Sequence, residues 1–123
     1  MSYGYDRAPV AVSDSFLAFA LEQLAGVREL SHRRMFGGVG LYSGESFFGV
    51  LDNDTLFFKV DDKTRPKYRK RRMPAFAPIP GKPPMEGYYQ VPPTVLEDVD
   101  AMRGWAQEAI GVSRRAPARK RKR

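Results

Sequence analysis

The run Arg33-Arg34-Met35-Phe36-Gly37-Gly38-Val39-Gly40-Leu41-Tyr42, followed by two apolar segments from Ser46 to Leu51 and from Thr55 to Val60, constrains the fold of this chain more than any other feature. In Leu56-Phe57-Phe58-Lys59-Val60 the residues Leu56, Phe58 and Val60 alternate, which puts them on one face of a half-buried strand. Asp52-Asn53-Asp54 separates the two segments with short side chains that tolerate turn geometry and bond their own backbone, so the pair reads as a hairpin. An earlier turn at Ser43-Gly44-Glu45 pairs Val39 to Tyr42 with Phe47 to Leu51, giving three antiparallel strands in succession. Val27 to Arg34 alternates weakly and is expected to add a more exposed strand. The glycines invite comparison with a phosphate-cradling loop. No Gly-Lys-Ser/Thr follows them, however, and the next segment reads as strand where such a loop needs a helix N-terminus, so they are expected to mark a bend or close backbone packing.

Helices bracket this sheet. Ser13 is a candidate N-cap with Asp14 in the electropositive first turn, and Phe16, Leu17, Ala20, Leu21 and Leu24 recur at helical spacing until Gly26. After Val60, Asp61 to Thr64 supplies cap residues and Pro66 suits a first turn, so a short helix is expected from Thr64 to Arg72, with Tyr68 inward and Pro74 as its stop. From Pro74 to Pro93 lie seven of the ten prolines. Strands there, at Phe76 to Ile79 and Tyr88 to Val91, must be short and either lie at an edge or begin at a proline. Val95, Val99, Met102, Ala106 and Ala109 form a final amphipathic stripe capped by Thr94 or Asp98, and Gly104 within it would allow close packing.

The glycine-containing decapeptide, then Asp54-Thr55-Leu56-Phe57-Phe58-Lys59-Val60-Asp61, Arg65-Pro66, Tyr68, Met73-Pro74 and Phe76, resembles the N-terminal domain of the TfoX/Sxy family, which is named for regulators of bacterial DNA uptake. Arg33, Arg34, Met35, Phe36, Gly37, Gly38 and Gly40 carry the motif. The resemblance runs from about Ser13 to about Ile110. It implies a two-layer fold like that of bacterial secretion chaperones, relatives that include dimers, so a homodimer is left open. From the pattern itself the expected fold class is α+β: an antiparallel sheet of about five or six strands with helices on one face, in the order α-β(3–4)-α-β(2)-α. Residues 1–12 are expected to be a flexible arm, 13–112 a single domain and 113–123 a disordered basic tail.

Charge is concentrated. Of 21 cations and 14 acids, seven cations lie beyond Ser113 and leave the first 113 residues neutral. A second acid-free cluster, Lys63, Arg65, Lys67, Arg69, Lys70, Arg71 and Arg72, lies within the body. Polyphosphate backbones bind such clusters by counterion release without a preformed pocket. The candidate nucleic-acid contacts are therefore Lys67, Arg69, Lys70, Arg71, Arg72, Arg114, Arg115, Arg119, Lys120, Arg121, Lys122 and Arg123, binding nonspecifically and in a salt-sensitive way.

Reactive equipment is sparse. There is no cysteine, which excludes disulfides and thiolate chemistry and suits a reducing cytoplasm. His32 is the one histidine, with no orienting carboxylate in its motif. Asp52, Asp54, Asp61 and Asp62 fall where turns and helix starts use such residues. No catalytic residue, cofactor site or metal site is assigned, and the chain is expected not to be an enzyme. No segment approaches the ~20 apolar residues of a membrane span. Two functional expectations remain. The resemblance implies a cytoplasmic regulatory or protein-interaction module whose protein partner is unknown. The alternative is a nucleic-acid-binding accessory protein using the tail and the 63–72 cluster.

Overall fold

Ser13 begins the ordered body as a helix cap: its hydroxyl accepts the Phe16 N–H at 3.1 Å, and α1 runs over Asp14–Gln23. The computed structural model describes residues 11–35 and 37–115. The strands that follow are β1 (Leu30–Met35), β2 (Gly38–Ser43), β3 (Ser46–Asp52) and β4 (Thr55–Lys59). Then come α2 (Arg65–Lys70), β5 (Ala75–Phe76), β6 (Met85–Gln90), α3 (Pro93–Leu96) and α4 (Val99–Arg115). The six strands form one antiparallel sheet in the order β1-β2-β3-β4-β6-β5, so the expected α+β class and strand number hold.

The turns are those the sequence chemistry favours. Asp52 pairs with Thr55, and the intervening Asn53 and Asp54 both take φ of 51°, the two-residue hairpin turn whose twist matches that of its strands. Proline sets the remaining edge: β5 starts directly after Pro74 and β6 directly after Pro84, where a missing N–H costs no ladder bond. Of these two strands only β5 lies at an edge, because β6 is held between β4 and β5.

All the helices contribute to one core on one face of the sheet. There Leu41, Phe48, Leu51, Leu56, Phe58 and Tyr89 meet Ala20, Leu24, Tyr68, Val95, Met102, Ala106 and Ile110. A register shift at Leu41/Tyr42 lets Phe48 point into this core although Phe47 faces the other way.

Several boundaries differ from expectation. Val27 is buried, but it lies before the strand, whose pairing begins at Leu30. The short helix is closed earlier, at Lys70, because Arg71 and Arg72 form turn bonds to Tyr68 and Arg69 and Arg72 takes φ of 62°. The last apolar stripe is split in two. Asp98 accepts the N–H groups of Asp100 and Ala101, which starts α4 afresh and leaves Val99 47% exposed while Val95 stays buried on α3. Gly104 faces open space and serves no close contact. Helix α4 continues through Arg115, so Ser113, Arg114 and Arg115, expected in the tail, are helical and Ser113 is buried. Of the expected arm, Val12 is buried in the core, whereas residues 1–10 lie outside the described residues, as do residues 116–123 of the tail.

Candidate functional site

The helix-free face of the sheet carries a groove. Alternation along each strand sends Met35 of β1, Gly38 and Gly40 of β2, Phe47, Val50 and Asp52 of β3, and Tyr88 of β6 to this side. Phe76 of β5, Pro78 and Ile79 of the segment after it, and Met85 at the start of β6 form the opposite wall of a cavity of about 490 Å³. Its floor depends on the glycines. A Cβ on Gly40 would lie 2.7 Å from Met35 Cε and 2.8 Å from Phe47 Cε1, and one on Gly38 would lie 2.7 Å from the Leu51 carbonyl oxygen. Gly37, at φ of 81°, makes the turn into β2. The glycine-rich motif therefore makes a depression in a sheet face and leads into a strand, as expected, not into a helix N-terminus.

Aromatic rings line and surround this groove. Tyr42 and Phe47 have centroids 5.2 Å apart, Phe47 and Tyr88 6.0 Å, and Phe76 packs on Phe57 at 4.8 Å. Two cations sit on this face, Arg33 over the Tyr42 ring at 5.6 Å and Lys59 over Tyr88 at 5.8 Å. Burial pushes the Tyr88 phenol above its ordinary range. Ile79 and Met85 are 56% and 47% exposed, an uncommon setting for two large apolar side chains on one rim. The other motif cation, Arg34, points to the helical side and pairs with Asp14 at 3.3 Å. Phe36 lies outside the described residues.

The expected nucleic-acid contacts that fall within the described residues occupy the helical side. Lys67 pairs with Glu108 of α4 at 2.8 Å while its ammonium lies 3.9 Å over the Trp105 ring, which Arg71 also approaches at 5.2 Å. Arg69 donates to the Tyr89 hydroxyl and to Glu86, and Tyr89 donates to the same Glu86 oxygen at 2.5 Å. These two donors hold the Glu86 carboxyl below its ordinary range, Tyr89 contributing more than Arg69. Arg114 donates to the Ser46 hydroxyl. Arg115 pairs with Asp61 at 2.8 Å and, ahead of the Thr64 and Lys63 N–H groups that bond the other oxygen, draws the Asp61 carboxyl downward. Lys70 and Arg72 are exposed and have no ion pair among the described residues. The end of α4 and the start of α2 are thus brought together, but carboxylates already engage much of their charge. Arg119, Lys120, Arg121, Lys122 and Arg123 lie outside the described residues.

His32 is exposed on β1. Among the described residues no three His, Asp or Glu side chains are grouped to hold a metal ion, and no helix is long and apolar enough to cross a membrane. The groove itself was not anticipated from the sequence. Its signal is the set of doublets Phe47-Phe48, Phe57-Phe58 and Tyr88-Tyr89, in which neighbouring rings must take opposite faces, so that both sides of the sheet are apolar.

Comparison with curated proteins yields no match to this chain. The family model for the TfoX N-terminal domain matches residues 22–113, from α1 to the last turns of α4 and including the entire sheet. The chain therefore belongs to the TfoX N-terminal domain family.

Proposed function

We propose that this protein is a non-enzymatic regulatory module of the cytoplasm that acts by binding a protein partner on the open face of its sheet. The observation that carries this reading is the apolar groove over Gly38 and Gly40, with Ile79 and Met85 exposed on its rim. Sheet faces left uncovered by helices are normally polar, because apolar area in water costs about 25 cal/mol per Å². A surface that keeps Met, Ile and aromatic side chains there has the composition of an interface core. The groove brings no nucleophile together with a base, which is what acid–base or covalent chemistry would require.

A second reading, nucleic-acid binding, is favoured by Arg115, whose pair with Asp61 sets the end of α4 beside the 61–72 segment. Photocrosslinking in the native cell separates the two. A photoreactive residue at position 79 is expected to give one dominant, nuclease-resistant adduct with a protein that can then be purified and rebound, and the same residue at position 70 is expected to give none. Nuclease-sensitive adducts at position 70 with nothing at position 79 would reverse the order of the readings.

A further inference from the structure

The groove is apolar along its length except at one end, which Asp52 closes. Asp52 is the last residue of β3, in a row with Met35 and Gly38 across the sheet, while Phe47 and Tyr88 close the other end. Several carboxylates of this fold are spoken for: Asp14, Asp61, Asp62, Glu86, Asp100 and Glu108 each hold a cation, and Asp54 and Asp98 each accept two hydrogen bonds at a helix start. Asp52 is half-buried, and its side chain makes neither a hydrogen bond nor an ion pair among the described residues. Its burial raises the carboxyl above its ordinary range, the direction expected of a charge losing water without gaining a partner. Nor does the hairpin use it, because the turn is made by the positive φ of Asn53 and Asp54. A partly desolvated, unpaired carboxylate destabilises the protein that carries it and is offset only when a donor arrives.

We propose that the groove receives an apolar side chain of a partner protein followed two residues later by a lysine or arginine, the apolar group lying over Gly40 and Val50 and the cation meeting Asp52. The spacing follows from the sheet. Val50 and Asp52 share a face two residues apart, about 7 Å, which is also the separation of alternate side chains in an extended partner segment. The occupant is identified by charge complementarity: an apolar trough with one unsatisfied anionic end selects an apolar-x-cation pattern and discriminates against acidic segments. This inference rests on the reading of the open face as a protein-binding surface.

The test is a selection of random twelve-residue peptides displayed on phage against the full chain, followed by titration of the synthesised winners. Winners are expected to share an aromatic or aliphatic residue with Lys or Arg two positions on. Asp52→Asn, checked for an unchanged amide spectrum, is expected to weaken them roughly tenfold, about 1.4 kcal/mol. Replacing the peptide's cation with glutamine should cost the same on the natural chain and little more on Asp52→Asn, the signature of a direct pair. Ile79→Asp should abolish binding. Winners lost on Ile79→Asp but bound equally by Asp52→Asn would overturn the cation while leaving the protein-binding reading intact. Winners indifferent to Ile79→Asp would overturn both. A concentration-dependent dimer in sedimentation that Ile79→Asp dissolves would mean that a second copy fills the groove, and would overturn the proposal.

Discussion

Phe58→Ala is expected to remove about 3–5 kcal/mol of folding free energy, a large part of the 5–15 kcal/mol typical of a domain. Phe58 is fully buried on β4, its ring 5.8 Å from that of Phe48 in the core beneath the helices. The cost should lie toward the upper end because the site cannot collapse. Gly49, opposite Phe58, has no side chain to move in, and the β4 backbone is held by β3 on one side and β6 on the other. Phe57→Ala, one residue away on the opposite face, should cost clearly less, since its ring packs chiefly on Phe76 at the edge of the open groove. Urea unfolding followed by circular dichroism measures both. Equal losses would mean that the two faces bury their rings alike, contrary to a core on the helical side alone.

Gly38→Ala and Gly40→Ala should separate stability from binding. At Gly38 a methyl group would stand 2.7 Å from the Leu51 carbonyl oxygen, a backbone atom fixed in the β2–β3 pairing, so the strands must part and the expected loss is about 1–3 kcal/mol. At Gly40 the obstructing atoms are Met35 Cε and Phe47 Cε1, the ends of side chains. Methionine has three rotatable bonds and can swing aside, so the stability cost is smaller than at Gly38. The displaced Met35 and the raised floor then occupy the groove, and Gly40→Ala should impair partner binding more than folding. Thermal or urea midpoints together with a binding titration of both variants decide the matter. The opposite ranking, with Gly40→Ala the less stable protein, would show that the floor is structural.

Much of the architecture was legible because it is written in local chemistry. Ser13 caps a helix, Asn53 and Asp54 turn a chain, and Leu56, Phe58 and Val60 alternate, each a pattern carried by neighbouring residues, although the Asp54 carboxylate also accepts the Ser13 N–H and hydroxyl across the fold. The split between α3 and α4 was less legible, since the apolar stripe continues across it and only the Asp98 side chain, bonding backbone ahead of it, restarts the helix. The candidate site was hidden for a different reason. Met35, Gly40, Val50, Ile79 and Tyr88 are scattered along the chain and meet only through strand pairing and the fold-over of the 76–85 segment. Reading Leu56, Phe58 and Val60 as the buried set assigned one face correctly and gave Phe57 no role. The cationic clusters show the converse: their positions were plain in the sequence, but their pairing with Glu86, Glu108 and Asp61 depends on residues from other elements.

The central claim is that the open face of the sheet, rather than the cationic helical side, meets the partner. Chemical-shift mapping of the full chain, as the protein captured through position 79 is added, tests it most directly. The account predicts the largest changes at Met35, Gly38, Gly40, Val50, Ile79 and Met85, with α2 and the end of α4 unmoved. Changes concentrated on Lys67 to Arg72 and on Arg114 and Arg115, fading as salt is raised, would contradict it.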